Sequence, residues 1–208
     1  YGGSTARLER VPLRPSDPLE RRDLARVRVG VAQQHLPEDR VIGLASNGVH
    51  SNGYSLARRV LLERANLPLN GPAFPGSPEK LADELLRPSV IYAPAIMHVL
   101  REVDVRGVAH ITGGGIPGNL SRVLSAHVDA VVHRSAWEVP RIFTEIQRLG
   151  DVSDDEMANV FNLGIGMIVA VPAGDRFRAL DVLREQGHRA VDLGEVVSGH
   201  GQVRLEQR

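Results

Sequence analysis

The chain has no cysteine among its 208 residues, so neither a disulfide framework nor a thiolate metal site is open to it. It has no surplus of either charge: Lys plus Arg and Asp plus Glu number 25 each. Such a balance leaves no electrostatic footprint for nucleic acid or for an anionic membrane. No apolar run approaches the length of a bilayer span, and the first residues do not resemble a signal peptide. An initiator methionine is also missing, since the chain opens on Tyr1-Gly2-Gly3-Ser4-Thr5 as a cut inside a longer sequence would. These absences point to a soluble, cytoplasmic protein whose partner is a small molecule or another protein, with no role for nucleic acid or membrane.

What is present can build a full core, because 42% of the residues are apolar and the length suits one domain with a short appendage. Residues 1–25 read as an irregular linker, rich in Arg, Pro and Glu without a sustained period. The domain itself is expected over 26–208. Arg26 to Val31 alternates as a strand should, and Arg40 to Ala45 follows as a second strand after a turn at Pro37-Glu38-Asp39. Later strands are expected at 105–111, 128–132, 168–171, 190–197 and 202–205. Helices are expected after Gly53, over 79–86, from Ala93, after Gly115, from Trp137 through Ile146 and over 176–186. Strands and helices mix without strict alternation, which favours a mixed sheet covered by helices, an α+β arrangement, over a doubly wound parallel one.

Two turns between a strand and a helix stand out. The first is Ser46-Asn47-Gly48-Val49-His50-Ser51-Asn52-Gly53, which sets a histidine, a serine and an asparagine between two glycines. Glycine there lets the backbone turn tightly and approach a ligand closely. Ala57, Val60, Leu61 and Ala65 then recur at helical spacing, so Asn52 or Ser51 is the expected N-cap. The second turn is His110-Ile111-Thr112-Gly113-Gly114-Gly115, followed by Asn119. Three successive glycines leave amide donors uncovered, and such concavities hold phosphate or carboxylate. The spacing matches neither the Walker pattern nor the dinucleotide fingerprint. The acidic run 151–156 lacks the glycine and ligand alternation of a calcium loop and reads as a solvated turn leading into a helix.

Taken in order, Gly48-Val49-His50-Ser51-Asn52-Gly53-Tyr54-Ser55-Leu56, then Ala109-His110-Ile111-Thr112-Gly113-Gly114-Gly115 with Asn119 and Arg122-Val123-Leu124, then Phe161-Asn162-Leu163-Gly164-Ile165-Gly166-Met167 resemble the C-terminal half of the phosphoribosylformylglycinamidine cyclo-ligases, or AIR synthetases. The resemblance runs from about Val27 to the end, and Gly2-Gly3-Ser4-Thr5-Ala6 is similar to a segment preceding that half. It implies a three-layer α/β/α sandwich on a mixed sheet, with residues 1–25 the remnant of an N-terminal ATP-binding domain. It also implies purine biosynthesis: ATP and magnesium activate formylglycinamidine ribonucleotide for closure to aminoimidazole ribonucleotide. ATP and Mg would be bound mainly by the N-terminal domain, whose Asp-Gly-Val-Gly-Thr-Lys motif this sequence does not contain, so that this chain alone would be inactive. A homodimer is implied for the full-length enzyme.

On that resemblance His50 and His110 are candidates for proton transfer, histidine being the side chain whose ordinary pKa suits it. Ser51, Asn52 and Gly53 would orient substrate, and Thr112, Gly113, Gly114 and Gly115 would line its phosphate, with Asn119 and Asn162 completing the substrate-binding set. No metal ligand is assigned. The chain departs from the family pattern at Val90 and Asn159, where arginines are typical, and at Ser4, where glutamate is. Two other readings remain open from the sequence: a related ATP-using synthetase with the same domain, and a non-catalytic ligand-binding or assembly module.

Overall fold

Arg40-Val41-Ile42-Gly43-Leu44-Ala45 alternates its apolar side chains between two faces, and it forms β1 (Arg40–Ala45) inside a six-stranded sheet. The structure is a computed structural model and describes residues 35–207. The expected linker and the strand Arg26 to Val31 lie outside the described residues. The remaining strands are β2 (Gly107–His110), β3 (Val128–His133), β4 (Ile165–Val171), β5 (Ala190–Ser198) and β6 (Val203–Glu206), in the order β2-β4-β1-β5-β3-β6. All neighbours are antiparallel except β3 and β6, so the sheet is mixed, as expected. Strands β1, β2, β3 and β6 run one way while β4 and β5 run the other.

Seven helices accompany the sheet among the described residues: α1 (Tyr54–Arg58), α2 (Leu81–Leu85), α3 (Ala93–Glu102), α4 (Gly115–Leu120), α5 (Arg141–Gly150), α6 (Asp154–Val160) and α7 (Arg176–Glu185). Ile42, Leu44, Val169 and Val171 face α3 and α7, burying Ile96, Val99, Leu180 and Leu183. Val41, Ile168 and Leu193 face the other way, against Ile116 and Leu120 of α4. This two-sided burial is what a sheet with a period of two and apolar residues at successive positions requires. A third cluster, with Leu61, Leu81, Phe143, Met157 and Phe161, joins α1, α2, α5 and α6. Helix α1 widens after Arg58 into a π-helical turn, Arg59–Arg64, closed by Ala65 N donating to Val60 O at 2.9 Å.

The structure corrects three local expectations. Gly53, not Asn52 or Ser51, is the N-cap of α1: its φ of 80° is left-handed, and a Cβ there would stand 2.2 Å from Phe161. The helix expected from Trp137 starts only at Arg141. Pro140 disfavours helical conformation in the residue before it, and Trp137 is extended instead, its indole Nε1 donating to Leu163 O at 2.8 Å. Strand β4 begins at Ile165, three residues before its expected start, because Gly164 N is held by the Asn162 side chain and the turn is over sooner.

Candidate functional site

Strand polarity decides where the site lies. The carboxyl ends of β1 and β2 and the amino ends of β4 and β5 share one edge of the sheet. Four connections therefore gather there: 46–53 after β1, 111–114 after β2, 161–164 before β4 and 187–189 before β5. The two turns singled out in the sequence are brought together, and a Cβ on Gly113 would stand 3.8 Å from Asn52 Oδ1.

His50 sits at the heart of the first turn with φ of 59°, a left-handed conformation unusual for a residue with a Cβ, and it is only 8% exposed. Asn47 Nδ2 donates to Pro88 O at 2.9 Å, which turns Asn47 Oδ1 toward the imidazole, 2.9 Å from Nε2. The backbone N–H groups of Asn47 and Val90 also point at Nε2, at the longer 3.5 and 3.4 Å. The other ring nitrogen, Nδ1, is buried with no hydrogen-bond partner among the described residues. Burial is the main cause that holds the His50 pKa below its ordinary value, and the nearby His110 lowers it further.

Between the two histidines stands Tyr92, which the sequence reading did not single out. Its ring centroid lies 6.2 Å from that of His50, 6.5 Å from His110 and 5.5 Å from His188. The phenol donates to Ala45 O at 2.8 Å, and burial pushes its pKa well above the ordinary tyrosine range. Room for this cluster depends on Gly166 of β4, since a Cβ there would fall 2.2 Å from the Tyr92 oxygen and 2.9 Å from His50 Cε1. A glycine inside a strand is the one signal in the sequence that could have pointed to a close approach.

The first turn is braced from behind. Arg87 donates to Asn47 O at 2.8 Å and pairs with Glu84 at 2.8 Å and with Glu79. Glu84 is buried, and that burial pushes its carboxyl pKa up against the opposing pull of Arg87. From the other side Asn162 is saturated: its Oδ1 accepts from Ser46 Oγ and Gly164 N, both at 2.8 Å, and its Nδ2 donates to Gly48 O at 3.0 Å. Asn119 plays the same part under the glycine turn, with Nδ2 donating to Gly115 O at 2.8 Å and Oδ1 accepting from Thr112 Oγ1 at 3.1 Å. Both amides are engaged with the chain itself. Ser51 is exposed, 3.4 Å from Ser89 Oγ, and the exposed His110 ring makes no hydrogen bond among the described residues. The amides of Gly113 and Gly114 likewise have no acceptor among the described residues, beside glycines at φ of 100° and 58°. Two free N–H groups on so curved a backbone suit an anionic oxygen.

The lowered pKa of His50 has a consequence for stability. A base that is harder to protonate in the folded chain than in the unfolded one favours folding fully above pH 6.5, where both are neutral, and this contribution is lost as pH falls through the folded value. Urea midpoints measured at pH 7.5 and 5.5 should fall further for the wild-type chain than for His50→Asn, because asparagine tolerates the left-handed backbone without titrating. Equal losses in the two chains would mean that His50 is not held neutral by the fold.

Comparison with known proteins adds family to geometry. Residues 37–206 match the model of the AIR synthase related protein, C-terminal domain. The phosphoribosylformylglycinamidine cyclo-ligase of Myxococcus xanthus is 44% identical over 189 residues, covering 87% of this chain and 54% of the relative. The chloroplastic cyclo-ligase of Arabidopsis thaliana is 45% identical over 163 residues, covering 78% and 41%. The chain therefore spans about half the length of these curated relatives. A crystal structure of the hydrogenase maturation protein HypE in complex with ATP shares the fold, with a TM-score of 0.55 at 19% identity over 84% of this chain and 49% of that one.

Proposed function

Because the chain belongs to the family of AIR synthase related proteins, as their C-terminal domain, we propose that it is the C-terminal part of an ATP-dependent cyclo-ligase of purine biosynthesis. The reaction is closure of formylglycinamidine ribonucleotide to aminoimidazole ribonucleotide. The observation that carries this reading is the meeting of the His50 turn and the triple-glycine turn at one edge of the sheet, in a chain 44% identical to a cyclo-ligase.

In the proposed reaction ATP supplies the phosphoryl group that converts the formyl amide oxygen into a leaving group, with ADP departing in that transfer, and phosphate leaves when the ring closes. The residues of this chain position and move protons. His110, exposed at the rim, accepts the proton that the attacking nitrogen sheds, and His50, buried behind the turn, assists that transfer. Ser51 and Asn52 orient the substrate beside Gly53, while the Gly113 and Gly114 amides and Thr112 receive phosphate oxygens. Asn119 and Asn162 hold the two turns in shape, so their part in substrate binding is positional. No group of three or more His, Asp or Glu residues able to hold a metal occurs among the described residues, and we assign magnesium and most of the ATP contacts to an N-terminal half like that of the relatives. The full enzyme is proposed as a homodimer acting in the cytoplasm, and no helix among the described residues is long and apolar enough to cross a membrane.

Thermal unfolding in the presence of purine-pathway ribonucleotides tests the substrate assignment. Formylglycinamidine ribonucleotide at a hundred times its dissociation constant should add about 2.7 kcal/mol of apparent stability, and ribose alone should add none. If no ribonucleotide of the series raises the midpoint, the substrate surface proposed here is wrong.

A further inference from the structure

Beside the histidines, between the start of α3 and the sheet's outer strand β2, lies a cavity of about 370 Å3. That is within the range of roughly 300 to 1,000 Å3 typical of small-molecule pockets. Its wall is apolar: Val108 of β2 and Met167 of β4 form the floor, and Ile96 and Met97 of α3 form a side. Among the described residues no Lys, Arg, Asp or Glu lines it. Among the described lining residues the polar side chains are Tyr92, whose hydroxyl is committed to Ala45 O, and His110, whose ring is exposed and makes no hydrogen bond among the described residues.

We infer that this cavity binds an uncharged, planar aromatic group, held by the two thioethers and the Tyr92 ring and hydrogen-bonded at its rim by His110. The described wall offers no charged partner to phosphate or carboxylate, so it favours an uncharged group over an ion that would give up hydration there. Aromatic is favoured over aliphatic because two of the chain's three methionines line this one cavity, and a thioether sulfur gains more from the edge of an aromatic ring than from a methylene. The Tyr92 and His110 rings already stand edge to face with centroids 6.5 Å apart, so the wall presents aromatic as well as thioether surface. The inference does not depend on the cyclo-ligase reading, and its test needs neither ATP nor turnover.

The three methionines provide the readout. Met97 and Met167 line the cavity, whereas Met157 is buried in the helical cluster of α1, α2, α5 and α6 and serves as an internal control. In the chain labelled with carbon-13 at the methionine methyls, benzimidazole added at pH 8, where it is neutral, should shift the Met97 and Met167 signals saturably and leave Met157 in place. Benzoate, of similar size but charged, should shift none of them. Ala93→Phe, a substitution at an exposed position on the cavity's lip, should weaken benzimidazole at least tenfold with an unchanged Met157 signal. His110→Ala should weaken it about tenfold, the loss of one hydrogen bond. The inference falls if benzimidazole gives no saturable shift, if benzoate acts equally, or if Met157 moves with the others. It also falls if the N-terminal half of the Myxococcus xanthus relative moves the Met97 and Met167 signals and benzimidazole then moves them no more, because the cavity is then covered by protein.

Discussion

Gly115→Ala is expected to cost at least about 4 kcal/mol, a large part of the roughly 5–15 kcal/mol that holds a domain folded. Two independent causes add. Gly115 has φ of 58°, and an alanine held there loses about 1–2 kcal/mol against its preferred conformations. Its Cβ would also fall 1.7 Å from the carbonyl oxygen of Ala158 and 2.9 Å from the carbon. Those are backbone atoms of α6, so no side-chain rotation relieves the overlap and the two helices must separate. Separating them exposes part of a packed interior in which Ile116, Leu120, Met157 and Phe161 are all buried. Gly113→Ala, two residues earlier, is the control: its Cβ would meet only Asn52 Oδ1 at 3.8 Å. Urea unfolding of both variants should show a collapse for the first and a change within about 1 kcal/mol for the second. A Gly115→Ala chain as stable as wild type would mean that α4 and α6 do not pack as described.

The second large effect concerns turnover. The chain alone should release no ADP from ATP in the presence of formylglycinamidine ribonucleotide, because the proposed reaction needs groups assigned to another half. Supplying the N-terminal half of the Myxococcus xanthus relative as a separate polypeptide should restore some ATP-dependent cyclisation, limited by how well the pieces associate. In that mixture His50→Asn should lower turnover about a hundredfold or more, the usual worth of a positioned group in proton transfer. Asparagine keeps the left-handed turn and a polar side chain, so the urea midpoint at pH 7.5 should change far less than the rate. Activity from the unaided chain would show that the division of labour is wrong. Unchanged turnover in His50→Asn would reduce the first turn to scaffolding.

Gly115 and His50 also mark what could and could not be read ahead of the structure. Both segments were legible as strand-to-helix turns because glycine clusters and a change of period are local features, written in a dozen neighbouring residues. Tyr92 was missed for the opposite reason. It follows Pro88 and sits two residues before Pro94, where nothing local distinguishes a core tyrosine from one lodged among three histidines. Asn162 and Asn119 entered the substrate-binding set on the family resemblance, and the structural work each side chain does was not legible beside it. The hydrogen bonds that occupy them are made to partners such as Ser46, 116 residues away from Asn162, and no period in the sequence reports such a pairing.

Some features followed from the sequence by itself. The absence of cysteine excluded disulfides and thiolate metal sites within these 208 residues. Alternation marked most strands to within a few residues, and three long motifs marked the family, because strand pleat, turn chemistry and motif spacing act over short stretches. Only the tertiary structure decided that β4 and β5 run against β1, which puts His50, Tyr92, His110 and His188 at one edge. It decided too that Gly53 caps α1, leaving Ser51 and Asn52 unused as caps, and that a neutral apolar cavity opens beside the histidines. These outcomes turn on which distant segments exclude one another's atoms: a Cβ at Gly53 would strike Phe161 and one at Gly166 would strike Tyr92. Steric exclusion between residues far apart in the chain is a property of the packed fold, and it leaves no local pattern to read.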